Sequence, residues 1–384
     1  MHIVLAALFL LVPFSLPPVG VTEVSTTSEL RSALASAAPG TRIAVKPGDY
    51  ERFNAARIAG TAELPIVVAA ADATAPPVFR GMQFSDVAHF ELVGIVIAGA
   101  PDNGLNIDDG GSFETPSHHV VLRDVVVRDC GARGNEDGIK LSGLDDFRLE
   151  RCTVETWGRG GSAVDMVGCR RGSIEGCTFR DRSEDPASNG VQTKGGTRDV
   201  TIRACRFEHA GQRAVNVGGS TALAFFRPRP ETFEAQAIVV EGCTFVGSEA
   251  PIAFVGVDGA VVRFNTFYRP EKWFVRILQE TREPGFVACR NGVFSDNLVV
   301  WSASEIATPV NVGTHTAPES FTFARNYWYC VDAPARSIPW LPVAEVGAKG
   351  GADPLFRDVA KLDLRLSESS PARAHGADAC TSKR

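Results

Sequence analysis

The chain has 384 residues, a formal net charge of −6 and 22% charged residues, the composition of an ordinary soluble protein. This balance excludes the basic footprint of a nucleic-acid-binding protein, so we expect no nucleic-acid partner. The 37 glycines and 23 phenylalanines, against 3 methionines and 4 tyrosines, favour turn-rich β structure over a helix bundle.

The N-terminus carries an apolar run, Ile3–Leu16, followed by two prolines. The run is too short and too interrupted by proline to cross a membrane, so we expect no membrane span. The pattern predicts a signal peptide over residues 1–20, with cleavage near Gly20, and therefore a secreted or periplasmic protein. The alternative is an apolar N-terminus that packs on the first coil of the fold.

The next segment predicts a short helix followed by strands. Ser28–Ala37 has an amphipathic pattern typical of a helix, which we expect to cap one end of the fold. Gly40–Val45 and Ile66–Val68 are predicted to be early strands. A cap is needed because a stack of strands otherwise exposes its open edge.

From residue 121 to residue 328 one strand pattern recurs eight times. Alternating apolar and polar residues predict a strand with one buried face in each copy. Neighbouring copies are 22 to 38 residues apart, and the longest step contains an insertion predicted at Thr221–Gln236. A repeat of this length built from short strands predicts a solenoid of stacked coils. The equivalent apolar positions are Leu122, Leu149, Ile174, Ile202, Val240, Val262, Phe294 and Phe323.

A second set of strands lies between the first. Each member has an inward apolar, outward variable, inward apolar pattern, as in Gly190–Thr193 and Ala214–Val217. We therefore predict an all-β protein, a single-stranded right-handed parallel β-helix. It would occupy residues 21–384 as one domain, with an irregular C-terminal cap at 330–384, and we expect a monomer.

Four of the nine cysteines are explained by the repeat. Like residues are expected to stack when equivalent coil positions lie one strand apart, which predicts buried thiols rather than disulfides. Cys330 and Cys380 fall outside this column and are candidates for a C-terminal bridge. The chain contains no CxxC pair, so we predict no zinc site. The column consists of Cys152, Cys177, Cys205 and Cys243, continued by Asn265, Asn297 and Asn326.

The outward positions of the second strand set form one exposed column, because side chains alternate between the two faces of a strand. Charged residues concentrate in its middle coils, with amides between them, and Lys194 lies in the adjacent column. Such a stripe fits an extended acidic or hydroxyl-rich polymer, although a solvated sheet face also carries charges. The column contains Asn106, Lys140, Asp165, Gln192, Asn216, Ala253, Arg276 and Asn311.

Two segments resemble the right-handed β-helix polysaccharide lyases, especially the chondroitinase B and alginate lyase family (polysaccharide lyase family 6). One is the N-terminal segment SELRSALASAAPGTRIAVKPGDY. The other is Asn189–Ser220, in which Gln192-Thr193-Lys194-Gly195-Gly196 is followed by a strand and a glycine-rich third strand. The resemblance implies a secreted carbohydrate-active protein that cleaves an acidic, uronate-containing polysaccharide by β-elimination.

The resemblance also implies roles for individual residues. In that family a lysine is the base, an arginine lies nearby, and a calcium ion held by acidic residues offsets the substrate carboxylate. Here Lys194 would be the base, with Arg213 and Arg276 on the substrate carboxylate. Asn216 stands where the family has its arginine.

The expected calcium ligands are also replaced, by Asn189 and Gln192. We therefore predict no metal site and no cofactor, with calcium the one exception left open by the resemblance. His209, in a loop beside the column, is a further acid/base candidate. The predicted substrate-binding residues are Lys140, Asp165, Gln192, Asn216 and Arg276.

Two other functions are compatible with the same residues. Asp165 with Asp137 or Asp108 would form the paired carboxylates of a glycoside hydrolase. Asp137 also precedes Lys140 closely enough to pair with it. The third reading is a non-catalytic solenoid that binds a polysaccharide at a surface. Phe225, Phe226, Arg227 and Arg229 of the insertion are candidates to overhang the groove and stack on sugar rings; the alternative is a loop that packs on the body of the helix.

Overall fold

The structure, a computed structural model, describes residues 20–112, 114–131, 134–227 and 232–381. The predicted signal peptide therefore lies outside the described residues, apart from Gly20. No helix in the described part of the chain is long and apolar enough to cross a membrane.

Three parallel sheets run along the molecule, and the coils of the central part contribute one strand to each. Sheet 1 contains Leu105–Asp108, Ile139–Ser142, Ser162–Val167, Asn189–Lys194, Arg213–Gly218, Ala250–Val255, Val275–Leu278 and Val310–Val312. Sheet 2 contains Val21–Val24, Arg42–Val45, Ile66–Ala70, Ser117–Arg123, Leu144–Asp145, Arg148–Glu150, Arg170–Glu175, Thr197–Arg203, Ala235–Glu241, Val257–Arg263, Arg290–Ser295 and Thr322–Ala324. Sheet 3 contains Asp49–Tyr50, Val78–Phe79, Val96–Ala98, Val126–Arg128, Thr153–Glu155, Thr178–Arg180, Arg206–Glu208, Thr244–Val246, Thr266–Tyr268, Leu298–Trp301, Tyr327–Cys330 and Lys349–Gly350.

Two long strands join sheets 1 and 2 near the N-terminus. Phe53–Ala59 pairs with Met82–Val93, whose first half pairs with sheet 1 and whose second half pairs with sheet 2. Apart from these elements the described residues form the helices Thr27–Ala35 and Gly376–Thr381, and the antiparallel pair Phe356–Asp358 and Asp363–Leu366. Single 3-10 turns occur at Leu223–Phe225, Pro318–Ser320, Pro334–Arg336 and Val359–Lys361.

The predicted right-handed parallel β-helix is confirmed, and so is its register. Leu122 lies opposite Leu149, and the pairing continues through every predicted position to Phe323. Stacked coils bring like side chains about 4.8 Å apart. Aromatic rings therefore stack inside the helix, with centroids 4.6 to 5.5 Å apart, at Phe179, Phe207, Phe245, Phe267 and Phe294.

The cysteine and asparagine column is an internal ladder, as predicted. The four column cysteines are reduced and buried, and the Cys152 N–H donates to Cys177 Sγ at 3.3 Å. In the asparagine part, Asn265 donates its backbone N–H and its side-chain amide to Asn297 Oδ1. The replacement of cysteine by asparagine along this ladder keeps the interior packed. It also adds side-chain hydrogen bonds in the last coils of the stack.

The Cys330–Cys380 bridge is not formed. Cys330 is buried at the end of Tyr327–Cys330, the last strand but one of sheet 3, and its thiol donates to Asp332 Oδ1 at 3.1 Å. Cys380 instead lies beside Gly242. The two thiols are separated because the C-terminal segment folds back along the helix, which no local sequence pattern reveals.

The N-terminal helix caps the first coil, with slightly different bounds from the prediction. It begins at Thr27 because Thr26 Oγ1 accepts the Glu29 N–H, while Glu29 accepts the Ser25 N–H at 2.7 Å. The arrangement resembles a capping box, except that Glu29 reaches the residue before the N-cap. Leu30 and Leu34 are buried, so the apolar face of the helix closes the open end of the core.

The C-terminal region caps the stack only in part. Glu345 accepts the backbone N–H of Asn326 at 2.8 Å and thereby closes the asparagine ladder. Beyond residue 353 the chain turns back along the outer face of sheet 3, where Leu366 and Ala372 pack against Leu298. The insertion is also shorter than predicted, because the strand Ala235–Glu241 begins inside the range 221–236.

Candidate functional site

The predicted column of sheet 1 is present and in register, but it is not exposed along its whole length, because Asp165, Gln192, Asn216 and Ala253 are buried. Lys140 lies opposite Asp165, and the pairing continues to Gln192, Asn216, Ala253, Arg276 and Asn311. Adjacent strands are about 4.8 Å apart, so about 24 Å separate the strand of Lys140 from that of Arg276. The column is therefore long enough to contact several sugar units of a polymer.

One end of the column is a lysine–carboxylate cluster, formed by Asp137, Lys140, Asp165 and Lys194. The ammonium of Lys140 contacts Asp165 Oδ2 and lies 3.3 Å from Asp137 Oδ2. Lys194 Nζ lies 3.2 Å from the same Asp165 oxygen and donates to Gln192 Oε1 at 3.3 Å. Asp165, with 1% of its surface exposed, thus joins the two lysines, and the pairing expected for Asp137 and Lys140 is confirmed.

Burial and mutual repulsion control the charges in this cluster. Desolvation and the charge of Asp165 raise the pKa of Asp137 to about 6. Burial alone lowers the pKa of Lys140, but the charges and hydrogen bonds of Asp165 and Asp137 outweigh it and raise the pKa. The second oxygen of Asp165, Oδ1, is buried and accepts no hydrogen bond from the described residues. The cluster therefore contains a carboxyl group that changes protonation near neutral pH.

The fold places Arg213 at the start of a sheet 1 strand. Its guanidinium turns back over the strand, donating to Asn216 Oδ1 at 3.4 Å and to Glu280 Oε1 at 2.8 Å. Asn216 lies opposite Gln192, and Gln192 accepts a hydrogen bond from Lys194. The side-chain amides of Asn216 and Gln192 therefore lie between Arg213 and Lys194. Arg213 is thus the cation next along the face.

Arg276 lies farther along the same face. Its guanidinium stacks on Trp273, 4.4 Å from the ring centroid, and Nε donates to Asn311 Oδ1 at 3.0 Å. Burial and the nearby charge of Arg213 lower the pKa of Arg276. We call Arg213, Asn216, Trp273 and Arg276 the arginine cluster. It offers planar donors and an aromatic surface, which suit carboxylates and sugar rings.

The insertion forms a wall beside the lysine–carboxylate cluster. A pocket of about 670 Å³ opens there, lined by Lys140, Lys194 and the insertion residues Phe225 and Arg227. Phe225 is 61% exposed, whereas Arg227 is buried, pairs with Asp109 and donates to the Ser112 carbonyl at 2.9 Å. Phe225 therefore overhangs the groove, whereas Arg227 lines the pocket from a buried ion pair. Arg229 lies outside the described residues.

Phe226 does not contribute to this wall. It is buried and packs edge-on against Phe286. Consecutive side chains of the insertion thus point in opposite directions. Phe225 is accessible to a ligand, and Phe226 anchors the loop on the body of the protein.

A buried glutamate that the sequence did not reveal holds the site together. Glu234 accepts the N–H of Gly195, the N–H and hydroxyl of Thr221, each at 2.8 Å, and the hydroxyl of Thr281. It thereby fixes the corner after Lys194 to the first residue of the insertion. Its partners lie 13 to 47 residues away in sequence, so no local pattern marks it.

His209 lies apart from both clusters. It follows a sheet 3 strand, and its Nδ1 lies 3.2 Å from Glu271 Oε1, which raises the pKa of the imidazole. Gly247 lies beneath the ring. Within the described residues no contact joins His209 to Lys194 or Arg213, so the acid/base role predicted for it has no geometric support.

The residues around Lys194 do not fit a calcium site. Calcium takes six to eight oxygen ligands, mainly carboxylates and carbonyls. The available carboxylates, Asp137 and Asp165, are paired with ammonium groups. Gln192 Oε1 accepts from Lys194, and Asn189 donates to Ser162 at 3.4 Å. The two positions that the resemblance assigns to calcium ligands thus form hydrogen bonds with Lys194 and Ser162 instead.

Comparisons with known proteins agree with this architecture. The family model described as right-handed beta helix region matches residues 81–300. The chain belongs to this β-helix family. No curated protein matches its sequence.

Three solved structures share the fold of this β-helix protein. A mannuronic acid specific polysaccharide family 6 lyase from human gut microbiota is 14% identical, with a TM-score of 0.56 over 89% of this chain and 92% of the other. The pectate lyase Pel9A is 14% identical, with a TM-score of 0.55 over 88% and 84%. A family 6 polysaccharide lyase from Pseudopedobacter saltans is 14% identical, with a TM-score of 0.53 over 93% and 99%. At these identities the likeness is one of fold.

Proposed function

We propose that this protein is a polysaccharide lyase that cleaves an acidic, uronate-containing polymer by β-elimination along the outer face of sheet 1. The observation that carries the proposal is the register of the lysine–carboxylate and arginine clusters on one face, beside a pocket of about 670 Å³. The lyase activity named for the three structures of the same fold supports it.

The β-elimination requires a base and a positively charged group that neutralises the substrate carboxylate. The proton α to a carboxylate is weakly acidic until the negative charge is neutralised. Arg213 and Arg276 bind substrate carboxylates, and the neutral amine of Lys194 takes the α-proton. The electron pair of the broken C–H bond forms a double bond to the β-carbon. The glycosidic oxygen on that carbon leaves and takes a proton from the Asp137–Lys140 pair.

Asp165 is a positioning residue in this scheme. Its carboxylate contacts both ammonium groups and therefore fixes Lys194 relative to Lys140.

A panel of alginate, pectate and glycosaminoglycans tests the proposal. We expect ultraviolet absorbance from an unsaturated product with at least one of these polymers. Lys194→Met should abolish the signal and Lys46→Met, which removes a lysine paired with Glu23, should not. A chelator should leave the rate unchanged because the site does not fit calcium. Intact polymer, or cleavage without unsaturation, would contradict the proposal.

A second function, glycoside hydrolysis, is favoured by the carboxylate pair. Asp137, with its pKa raised to about 6, and Asp165 contact the same ammonium. Two carboxyl groups in different environments are the acid and base of a hydrolase. Such an enzyme releases reducing ends without ultraviolet absorbance and loses activity above about pH 6 as Asp137 loses its proton. Binding without any product would instead indicate a non-catalytic solenoid.

We also propose that the protein acts outside the cytoplasm. The apolar run at residues 3–16 supports this, since a polymer substrate is itself extracellular or periplasmic. Fractionation of cells expressing the full chain, with N-terminal sequencing of the product, tests this; a protein found only in the cytoplasm with its N-terminus intact would contradict it.

A further inference from the structure

We propose that His89, His118 and His119 form a binding site for a divalent transition-metal ion, such as Zn²⁺, on the outer face of sheet 2. Their ligand atoms all lie within 4.8 Å of one another. The site belongs to a different sheet from the groove, and it is independent of the proposed lyase chemistry.

The backbone brings the three imidazoles together. His118 lies opposite Ala88, so His119 lies beside His89 on neighbouring coils. Adjacent strand residues normally point to opposite faces. His89 and His119 have positive φ values of 48° and 53°, which interrupt that alternation. As a result His118 Nδ1 and His119 Nδ1 meet at 2.9 Å.

The ring arrangement is compact. His89 stacks on His119 with centroids 4.4 Å apart, and His118 stands edge-on to both rings, at 5.2 and 5.1 Å. A hydrogen bond between the two Nδ1 atoms would account for the pair. It would leave the third imidazole, His89, with only stacking and edge-on ring contacts. One ion bound by all three nitrogens accounts for the whole cluster.

The spacing suits a transition metal rather than calcium or magnesium. Zinc binds imidazole nitrogen at about 2.0–2.1 Å, so two such ligands at 90–110° lie about 2.9–3.4 Å apart. The 2.9 Å separation of His118 and His119 falls within this range. Imidazole ligands suit zinc, copper and nickel, whereas calcium and magnesium require oxygen.

A pocket adjoins the cluster. It has a volume of about 490 Å³ and is lined by His89, His119, Glu91 and Asp146. Asp146 occupies the next coil and is held by two hydrogen bonds from Arg171, at 2.8 and 2.9 Å. Three protein nitrogens therefore leave coordination positions open toward the pocket, as at metal sites that bind a water or a small ligand.

Metal binding would also connect two coils. His89 belongs to Met82–Val93, and the other two ligands belong to Ser117–Arg123. An ion that binds only the folded protein raises the melting temperature in proportion to the logarithm of its concentration. Zn²⁺ should therefore stabilise the protein as well as bind to it.

Calorimetric titration of the full chain, without a polyhistidine tag, tests the site with Zn²⁺, and visible absorption with Co²⁺ reports its geometry. We expect one equivalent of metal and a rise in Tm. His118→Gln should weaken binding by about 10-fold or more, since even outer-shell changes at metal sites cost this much. The triple variant His89→Asn, His118→Gln, His119→Asn should bind none, asparagine being chosen because it tolerates positive φ.

Two variants serve as controls. His209→Gln removes an imidazole outside the cluster, and Cys380→Ser removes the half-buried thiol; neither should change binding. Circular dichroism establishes that each variant is folded, and His118→Gln alone decides the matter should the triple variant not fold. Absence of binding to the wild type, or unchanged binding by His118→Gln, would overturn the proposal.

Discussion

The lysine–carboxylate cluster and the arginine cluster, both on the outer face of sheet 1, stabilise their charged groups in different ways. In the lysine–carboxylate cluster, two buried carboxylates neutralise two ammonium groups, and Asp165 is 1% exposed. In the arginine cluster, the guanidiniums are held by amide oxygens, an aromatic ring and the exposed Glu280. The first end thus has strongly coupled, desolvated charges, and the second has cations that remain open to a ligand.

Under the proposed function, this difference assigns reaction to the lysine end and binding to the arginine end. Desolvated charges that share one partner affect each other's protonation, and they are costly to leave unpaired. Arginines at a partly exposed surface contribute planar hydrogen bonds to a polymer and little to folding. We therefore expect changes at the lysine end to alter kcat or stability, and changes at the arginine end to alter KM.

The largest effect is expected for Lys194→Met. Loss of a general base lowers the rate by about 10²- to 10⁴-fold. Because methionine keeps the length and apolar stem of lysine, KM should change little. Initial rates of unsaturated product formation measure this, with Lys46→Met as the matched lysine control. A variant that retained its rate of double-bond formation would remove Lys194 from the reaction.

The next largest effect is expected for Asp165→Asn. This change leaves the ammonium groups of Lys140 and Lys194 without their shared buried carboxylate. Breaking a buried ion pair destabilises a protein by about 3–5 kcal/mol. Urea unfolding measures the loss. Asp124→Asn, which disrupts an exposed pair with Arg151, should change the free energy of unfolding far less. Equal losses in the two variants would contradict the contrast between buried and exposed pairs.

The strand repeat makes much of this site visible in the sequence. Apolar alternation sets the inward face, and parallel stacking then places equivalent residues in register, so Lys140, Asp165 and Gln192 could be aligned without a structure. The same reasoning found the cysteine and asparagine ladder. Both features depend only on periodicity, which the chain carries in every coil.

Features that depend on loops or on distant contacts were not visible. Glu234 bonds to Thr221 and Thr281, which are 13 and 47 residues away in the sequence, and the alternating strand pattern marks neither contact. The histidine cluster requires positive φ at His89 and His119, which the apolar pattern does not encode. The predicted disulfide between Cys330 and Cys380 was wrong because the C-terminal segment returns along sheet 3 rather than ending the stack.

A pH titration sharpens the comparison through Asp137. Its pKa is raised to about 6 in the folded protein, from a usual value of 3.8, so the folded state binds this proton more tightly than the unfolded state. The corresponding stability is present below about pH 4 and is lost as the pH rises through about 6, amounting to about 3 kcal/mol. Free energies of unfolding from pH 4 to pH 7 should fall more for the wild type than for Asp137→Asn. Parallel curves would show that Asp137 does not titrate in this window.

The smallest effect is expected at the arginine end, for Arg276→Ala. Loss of one guanidinium that contacts substrate in both ground and transition states raises KM and leaves kcat nearly unchanged. We expect an increase in KM of about 10-fold, corresponding to about 1.4 kcal/mol. Arg276→Lys should restore little, because lysine lacks the planar donors and the stacking on Trp273. Arg269→Ala, at an arginine paired with Glu305 beyond a sheet 3 strand, is the control. A fall in kcat at constant KM would instead place Arg276 in the reaction itself, and the division between a reacting end and a binding end would no longer hold.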